Sequence, residues 1–290
     1  MKTSFILLLS CLFAACCSEA ENVPAEGGNI AKGHYLIPAG DHIVRINEEK
    51  GAWLTVGDST ELVIEGNILL EGNDFRSCAI ILVTGKNVVI RGNGSIMGDR
   101  MSHKGKEGEW GMGIRLHNAT NVNIKGLTIA DCWGDCIYIG GSSEKIMIDN
   151  CELRGSRRQG ISITKGNDIT VSDCLIADIS GTMPQYAIDI EPNMRCVVDN
   201  VLIKNVTMKN CEGGFRAIIG KKAVGNARIG QVELQNCYVM AKSRHTIQFA
   251  GCDYATVRDC TIETRKGEKP IIFKHGIRLI KENNRVIHKK

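Results

Sequence analysis

Aromatic residues, proline and excess charge are all scarce in this chain. Of its 290 residues only 5% are aromatic and five are proline, and the formal net charge is +4. So small a positive excess gives no support for a nucleic-acid partner. The composition is that of an ordinary globular protein, which excludes a disordered or fibrous chain. No stretch sustains the 3.6-residue period of an amphipathic helix, so a helical fold is not predicted.

The N-terminus has the pattern of an export signal. Lys2 precedes an apolar stretch that begins FILLL (5–9) and is too short to span a bilayer. The stretch ends in LFAACC (12–17), which resembles a bacterial lipobox, where small residues precede a lipidated cysteine. This resemblance implies that Cys16 carries the lipid.

The lipobox implies boundaries for the N-terminal region. We expect a lipoprotein signal peptide over residues 1–15, with Cys17 or Cys11 as alternative lipid sites and plain secretion as the other alternative. Residues 16–33 lack periodicity and are predicted to be a tether. Their acidic residues resemble the tethers of Bacteroidetes surface lipoproteins. The expected location is the outer membrane, on the cell surface or the periplasmic side, with membrane contact through the lipid alone.

Cysteine follows aspartate or asparagine at six positions in the body of the chain. The intervals are 19, 23, 37, 26 and 23 residues between Cys132, Cys151, Cys174, Cys211, Cys237 and Cys260. Such recurrence is typical of solenoids, whose coils stack to bury one continuous core.

Short segments that alternate apolar and polar residues lie between these motifs, as half-buried strands do. Two or three occur in each interval of about 23 residues, with Gly and Asn at the corners. We therefore predict an all-β fold, a parallel β-helix of about 9–10 coils that forms a single domain over residues 34–290 behind a small N-terminal cap. One set of segments is GIRLHN (113–118), CIYIGG (136–141), GISITKG (160–166), AIDIEPN (187–193) and TIQFAG (246–251).

Stacking gives the recurrent motif a structural role. Equivalent residues on adjacent coils lie ~4.8 Å apart, so corner asparagines can hydrogen-bond along the axis. We predict that the six cysteines form one interior file of mostly free thiols, since a thiol packs as a small apolar side chain. Disulfide bridging of some of them is the alternative, because an exported protein can be oxidised.

Aligning the segments separates inward from outward positions. The apolar residues predicted to point inward are Ile137, Ile139, Ile161, Ile163, Ile188, Ile190, Ile247 and Phe249. Those between them, predicted to face solvent in one file, are Tyr138, Ser162, Asp189 and Gln248. A second file, two residues before the first inward residue, contains Asp135, Gln159, Tyr186 and His245, with Arg216 assigned to it as well.

Together the two files predict one external groove rich in carboxylates, arginines, amides and aromatic rings. Such groups suit a glycan, since planar polar groups bind hydroxyls and uronates and rings stack on sugars. The alternative is that any exposed β-helix face is polar. The predicted substrate-binding residues are Trp133, Tyr138, Arg157, Arg158, Gln159, Gln185, Tyr186, Arg216 and His245.

Four motifs resemble those of the polygalacturonase family of glycoside hydrolases, within the pectin-lyase-like superfamily. They are GNGSIMGD (92–99), GLTIADC (126–132), GDCIYIGG (134–141) and RQGISITKG (158–166). The resemblance implies a right-handed parallel β-helix over about residues 34–270. It is weaker support for activity, because many chemistries share a fold.

The sequence departs from that family at its catalytic positions. Asp135 matches the second aspartate of the family's pair, Gly134 replaces the first, and Gln159 replaces the histidine. The family's Arg-Ile-Lys is absent, and AIDIEPN (187–193) stands in its place. A relative with relocated carboxylates is therefore expected.

Glycoside hydrolysis requires two carboxyl groups, ~6.5–9.5 Å apart for inversion or ~5–5.5 Å for retention. We predict Asp135 and Asp189 as the pair, with Glu191 third. Backbone spacing puts either pairing with Asp189 in the inverting range. The alternative for each carboxylate is structural, as a turn cap or as an ion pair with a nearby arginine. A hydrolase would need no cofactor.

Two other functions stay open. A polysaccharide lyase or epimerase would abstract a proton from a uronate with arginine, histidine or tyrosine, and calcium could assist through Asp131, Asp135 or Asp189. A non-catalytic protein would only bind glycan. In each case the expected partner is a polysaccharide or oligosaccharide, and the protein is expected to be a monomer.

The lipid anchor can be tested directly. Cys16→Ser should release the protein from membranes into the soluble fraction, because thioether attachment of the lipid requires the thiol. Fractionation and metabolic labelling with a fatty-acid analogue would measure this, with Cys11→Ser as control. Unchanged membrane retention and labelling of Cys16→Ser would exclude Cys16 as the lipidated residue.

Overall fold

A computed structural model describes residues 20–223, 225–274 and 277–289. Within these ranges the one helix is a short 3-10 turn (Lys221–Ala223), and every other element is a β-strand. The strands form three sheets, which we number in the order in which the chain visits them from β2 onward. The lipidation site at Cys16 lies outside the described residues.

Sheet 1 contains ten strands in coil order. They are β2 (Gly28–Ile30), β5 (Ala52–Val56), β8 (Ser77–Val83), β11 (Trp110–His117), β14 (Asp135–Gly140), β17 (Gln159–Ile163), β20 (Tyr186–Ile190), β23 (Gly213–Ile218), β26 (Ile247–Ala250) and β29 (Ile271–Phe273).

Sheet 2 contains eleven strands. They are β1 (Glu21–Asn22), β3 (Gly33–Ile37), β6 (Thr60–Ile64), β9 (Lys86–Gly92), β12 (Thr120–Lys125), β15 (Ser143–Asp149), β18 (Gly166–Ser172), β21 (Val197–Lys204), β24 (Arg228–Gln235), β27 (Cys252–Arg258) and β30 (Arg278–Glu282).

Sheet 3 contains ten strands. They are β4 (Asp41–Val44), β7 (Asn67–Leu70), β10 (Ser95–Met97), β13 (Thr128–Ala130), β16 (Glu152–Arg154), β19 (Leu175–Ala177), β22 (Thr207–Cys211), β25 (Tyr238–Ala241), β28 (Thr261–Thr264) and β31 (Arg285–His288).

The chain passes through sheets 1, 2 and 3 in turn, and each strand pairs in parallel with its equivalent one coil later. About ten such turns form a single parallel β-solenoid, which confirms the predicted fold class. The solenoid begins earlier than residue 34, however, because β2 pairs with β5 and Ile30 is buried in the core. The later part of the predicted tether therefore belongs to the first coil.

No α-helix covers the first coil within the described residues, and the small N-terminal cap expected there stays a prediction. The first described strand, β1, instead pairs with β3 at the edge of sheet 2. The same described residues contain no helix long and apolar enough to cross a membrane.

The predicted alternation of inward and outward residues is confirmed in sheet 1. The eight inward apolar residues, from Ile137 to Phe249, have no accessible surface. Cross-strand pairs such as Ile137↔Ile161 and Ile161↔Ile188 place them in continuous columns along the axis. In each column, every side chain contacts the equivalent side chains of the coils above and below it. A single coil has no core of its own, and these dispersion contacts stabilise it.

The prediction of one cysteine file is wrong, because the six cysteines lie at two corners. Cys151 and Cys174 connect sheet 2 to sheet 3, as do Cys237 and Cys260. Cys132 and Cys211 instead lie at the end of sheet 3. Both corners turn through a left-handed residue and then bury a small side chain, so the same Asn/Asp-Cys motif suits either one.

The thiols themselves are free, as predicted. All ten cysteines in the described residues are unpaired, and nine of them are buried. Two pairs of cysteines on adjacent coils are in contact at the corner between sheets 2 and 3, with the Cys151 amide 3.4 Å from Cys174 Sγ and the Cys237 amide 3.4 Å from Cys260 Sγ.

The Asp and Asn residues that precede Cys174, Val206 and Cys237 stabilise the corner between sheets 2 and 3. Asp173, Asn205 and Asn236 all have φ between 51° and 56°. Asn205 Nδ2 donates to Asp173 Oδ1 at 3.0 Å, and Asn236 Nδ2 donates to Asn205 Oδ1 at 2.9 Å. The expected axial hydrogen bonding of corner amides is therefore present, and left-handed backbone explains the choice of Asn and Asp.

Small residues occupy one inward position at the start of the sheet 1 strands. The column passes through Gly113, Cys136, Gly160, Ala187 and Gly214 in successive coils. A Cβ added at Gly160 would lie 2.4 Å from Ile176 Cγ2 and 2.5 Å from the Ala187 carbonyl oxygen. Sheets 1 and 3 therefore approach too closely at this column for a side chain at Gly160.

Gly160→Ala should accordingly destabilise the fold by about 1–3 kcal/mol, the usual range for overpacking a core. Urea unfolding followed by circular dichroism would measure the change, with Lys204→Ala on the exposed face of sheet 2 as the control. An unfolding midpoint for Gly160→Ala equal to that of the parent would contradict this close approach.

Candidate functional site

A cleft of about 590 Å³ lies on the outer face of sheet 1. It extends from β11 across β14, β17 and β20 to the turn after β23. The side chains in it that carry charge, hydroxyl, amide or aromatic groups are Ser77, Trp110, Arg115, Tyr138, Arg158, Ser162, Thr164, Asp189, Glu191, Asn193 and Lys221.

One outward file forms the floor of the cleft. Cross-strand pairing aligns Arg115, Tyr138, Ser162, Asp189 and Arg216 in successive coils. Arg216 was predicted in the other file, and this assignment is wrong. Because Phe215 is the inward residue paired with Ile188, Arg216 pairs with Asp189, and Gly213 takes the position opposite Tyr186.

Asp189 is held rigidly at the centre of this file. Arg216 Nε donates to Oδ1 at 2.7 Å and Arg216 Nη2 donates to Oδ2 at 2.7 Å. Gln159 Nε2 donates to Oδ2 at 2.7 Å, while Gln159 Oε1 accepts the Tyr186 amide at 2.9 Å, which fixes the orientation of the Gln159 amide. Three N–H donors therefore satisfy the Asp189 carboxylate, a charge-assisted arrangement.

Glu191 shares Arg216 with Asp189 and is far more accessible. Arg216 Nη2 donates to Glu191 Oε2 at 2.8 Å, and the Glu191 side chain is 37% exposed against 3% for Asp189. Burial, followed by the charge of Asp189, raises the pKa of the Glu191 carboxyl above its usual range. Glu191 therefore combines a raised pKa with access to solvent.

The shared arginine also limits the distance between the two carboxyl groups. Asp189 Oδ2 and Glu191 Oε2 lie 2.7 and 2.8 Å from the same nitrogen, so they cannot be more than 5.5 Å apart. This corrects the expectation of an inverting separation for the pair. Backbone spacing overestimated the distance because both side chains turn toward Arg216.

Asp135 lies beneath the cleft rather than in it, which corrects its predicted place in the groove. Its carboxyl group has no accessible surface and is covered by Arg158, at 3.1 and 3.2 Å, and by Ser162 Oγ, at 2.8 Å. Burial raises the pKa of Asp135 to about 6, against the opposing effects of Arg158 and Ser162. Asp135 thus neutralises Arg158 from below and has no access to a ligand.

Trp133 and Arg157 form a stack outside the cleft, which corrects their predicted role as glycan contacts. The indole lies between the His103 ring, at a centroid distance of 3.9 Å, and the Arg157 guanidinium, at 3.7 Å. His103 Nδ1 lies 2.7 Å from Asp99 Oδ2, and Arg157 Nη1 donates to the Gly108 carbonyl at 3.0 Å. The stack therefore fastens the loop 98–109 to the solenoid.

The remaining predicted glycan contacts are divided. Tyr138 and Arg158 line the cleft. Tyr186 is buried under Arg216, whose guanidinium lies 4.9 Å from the ring, and Gln185 accepts the Gly181 amide at 3.0 Å. His245 is exposed but does not line the cleft.

Sequence reasoning missed several cleft residues. Arg115 could have been found, because GIRLHN (113–118) alternates in the same way as the aligned segments and places Arg115 outward. Trp110, Thr164 and Lys221 have no such signal, because they lie at a strand end, just after a strand and in the 3-10 turn, where the strand period is lost.

Over the described ranges no cluster of three or more His, Cys, Asp or Glu side chains is arranged to hold a metal ion. The carboxylates of Asp135 and Asp189, which were considered as calcium ligands, instead accept hydrogen bonds from arginine, serine and glutamine side chains.

The family described as "Right handed beta helix region" matches residues 112–290. Among curated proteins, the SPbeta prophage-derived uncharacterized protein YorA of Bacillus subtilis is 30% identical over 187 residues, 56% of this chain and 32% of that protein. The uncharacterized protein YclG of the same organism is 32% identical over 204 residues, 62% of this chain and 34% of that protein. The chain thus spans about a third of the length of the curated relatives it matches.

Solved structures share the fold at low identity. Pectate lyase Pel9A has a TM-score of 0.61 at 9% identity, covering 90% of this chain and 71% of that chain. PfbA, a surface adhesin of Streptococcus pneumoniae, has a TM-score of 0.59 at 11% identity, with 91% and 85% covered. The tailspike of E. coli bacteriophage HK620 in complex with a pentasaccharide has a TM-score of 0.54 at 13% identity, with 91% and 57% covered.

The buried Asp135–Arg158 pair makes stability depend on pH. Because the pKa of Asp135 is raised in the fold, the folded protein binds this proton more tightly, and stability is lost as pH rises from about 4 to about 6. Asp135→Asn cannot titrate, so the parent-minus-variant difference in unfolding free energy should fall across that window, by up to roughly 1.4 kcal/mol per pH unit.

Urea unfolding at pH 4, 5, 6 and 7 would measure this difference. Asp149→Asn is the control: the Ser172 hydroxyl and Lys125 lower the pKa of Asp149, so its stabilisation is lost only below about pH 4. A parent-minus-Asp135→Asn difference that stays flat over the window would contradict the buried carboxyl.

Proposed function

The chain belongs to the right-handed β-helix family, and we propose that it is a carbohydrate-active member that hydrolyses a glycosidic bond in the sheet 1 cleft. The observation that carries the proposal is the pair of carboxyl groups joined by Arg216, of which Glu191 reaches solvent and Asp189 lines the floor. Most glycosidases require two carboxyl groups that flank the scissile bond in an open cleft.

Relatives in fold support a glycan as the partner. Proteins with this fold include a pectate lyase and a tailspike whose crystal contains a pentasaccharide. Their identity to this chain is too low to transfer an activity, so the glycan is proposed from the cleft itself. The charged groups, hydroxyls and indole in the cleft are those that bind sugar hydroxyls and stack on sugar rings.

Each carboxyl group has a distinct proposed role. Glu191, with its raised pKa, protonates the glycosidic oxygen of the leaving group. Asp189 is the second carboxylate, and because its Oδ2 lies at most 5.5 Å from Glu191 Oε2, the pair fits the short separation of a retaining reaction. Arg216 orients both groups, and Gln159 holds Asp189 from behind.

Elimination from a uronate is the second candidate. Two guanidinium nitrogens at the cleft, Arg115 Nε and Arg158 Nε, are buried and have no hydrogen-bond partner in the part of the chain described. They lie on either side of Tyr138, whose hydroxyl contacts Thr164 Oγ1 at 2.7 Å. Arg158 is already paired with Asp135, whereas Arg115 forms no ion pair among the described residues. A guanidinium of that kind beside a phenol is what neutralising a uronate carboxylate and removing the C5 proton would need.

A polysaccharide screen separates these functions. Incubation with acidic and neutral polysaccharides should produce new reducing ends without the ultraviolet absorbance of an unsaturated uronate. Reducing ends with that absorbance would establish elimination instead. Glycan binding without either product would establish a binding protein.

Export and lipidation of Cys16 stay part of the proposal, since a surface location would bring the cleft to extracellular glycan.

Glu191→Gln should lower kcat by at least ~100-fold with little change in KM, because it removes a proton donor used only in the transition state. The reducing-end assay would measure this on the polysaccharide that the screen identifies. Glu144→Gln, on sheet 2 and away from the cleft, is the matched control and should retain parental kcat. Parental turnover by Glu191→Gln would exclude it as the acid and favour the arginine–tyrosine candidate.

A further inference from the structure

Trp110 differs from the other two tryptophans in its accessibility. Trp53 is buried, and Trp133 lies within the stack formed by His103 and Arg157. The Trp110 side chain is 48% exposed and lines the end of the cleft farthest from Glu191. A large ring left open to water at the mouth of a polar cleft is a feature that ligand stacking would explain.

The backbone under Trp110 is held in place from two sides. Trp110 begins β11, where it pairs with Ser77, and its amide donates to the Arg76 carbonyl at 3.3 Å. On the preceding side, the Glu109 carboxylate lies 3.6 Å from Arg158 Nε, and the Gly108 carbonyl accepts Arg157. An indole on so constrained a backbone loses little conformational freedom when it binds a ligand.

The solenoid sets the distance from Trp110 to the carboxyl pair. β11 and β20 are separated by three coil steps, through β14 and β17. At ~4.8 Å per step this is about 14 Å, or about two to three sugar rings of an extended chain. Along that path the floor presents Arg115, Tyr138 and Ser162, one per coil. A glycan lying parallel to the axis would meet a polar or aromatic side chain at every step.

We propose that Trp110 forms a distal subsite, at which its indole stacks on the apolar face of a pyranose ring belonging to the same glycan that is cut beside Glu191. This inference rests on the proposed function. It makes the protein selective for chain length: a glycan gains affinity when it is long enough to reach from the carboxyl pair to Trp110. Monosaccharides and disaccharides cannot span the cleft and are poor ligands.

Binding can be measured without cleavage in a Glu191→Gln background. Oligogalacturonate, chito-oligosaccharide and xylo-oligosaccharide ladders, from dimers to octamers, would be titrated against the protein by calorimetry and tryptophan fluorescence. Affinity should rise steeply between the dimer and about the pentamer and then level off. Since Trp110 is the exposed tryptophan of the described residues, saturation with a long oligosaccharide should change the fluorescence.

Trp110→Ala should abolish most of the gain with length, weakening the binding of long oligosaccharides ~10-fold, while Trp110→Phe keeps part of it. Tyr254→Ala removes an aromatic ring of similar exposure on sheet 2 and should leave the length dependence as in the parent. Thermal unfolding of each variant would exclude a folding defect.

The outcomes separate the two proposals. Length-dependent binding that Trp110→Ala leaves intact would overturn the subsite and keep the proposed function. Binding of dimers as tight as that of octamers would also overturn the subsite. No binding of any ladder by the Glu191→Gln protein would overturn the glycan-directed function and the subsite together.

Discussion

Burial of the aliphatic columns inside the solenoid is the constraint on which the rest of the structure depends. A coil of about 23 residues cannot form a core, so each stacks its inward isoleucines and valines on those of its neighbours. A slip of one residue would expose every inward side chain of a strand, and the register is therefore strongly specified. The cleft follows directly, because residues such as Tyr138, Ser162 and Asp189 lie one coil apart on the opposite face of the same strands.

Within that frame, arginines divide the carboxyl groups of sheet 1 into two kinds. Arg158 covers Asp135 completely, so this pair is part of the support beneath the cleft. Arg216 pairs with both Asp189 and Glu191 near the surface. This arginine–carboxylate pairing leaves the Glu191 carboxyl group accessible to a ligand. Burial raises the pKa of both Asp135 and Glu191, but only Glu191 combines a raised pKa with access. Exposure, more than proton affinity, distinguishes Glu191, the proposed acid, from Asp135 beneath the cleft.

The loop 98–109 connects the solenoid to the far end of the cleft. His103, bonded to Asp99 and stacked on Trp133, attaches the loop to the coil that begins at β14. The loop then leads directly into Trp110, at the position where the distal sugar ring is proposed to stack. The loop 98–109 thus has a defined conformation. It positions Trp110, an aromatic ring that lies outside the outward file of Arg115, Tyr138, Ser162 and Asp189.

The sequence by itself determined the solenoid, the inward residues and the outward file through Asp189, because alternation within a strand and repetition between coils are local and periodic. Periodicity could not distinguish the two corners that share the Asn/Asp-Cys motif, nor place Arg216, whose strand starts with two glycines. The tertiary structure alone decided which groups are accessible. Arg158 covers Asp135, and His103 and Arg157 cover Trp133. Glu191 stays accessible and is turned toward Arg216. Accessibility depends on side chains and loops from other coils, and these follow no repeat.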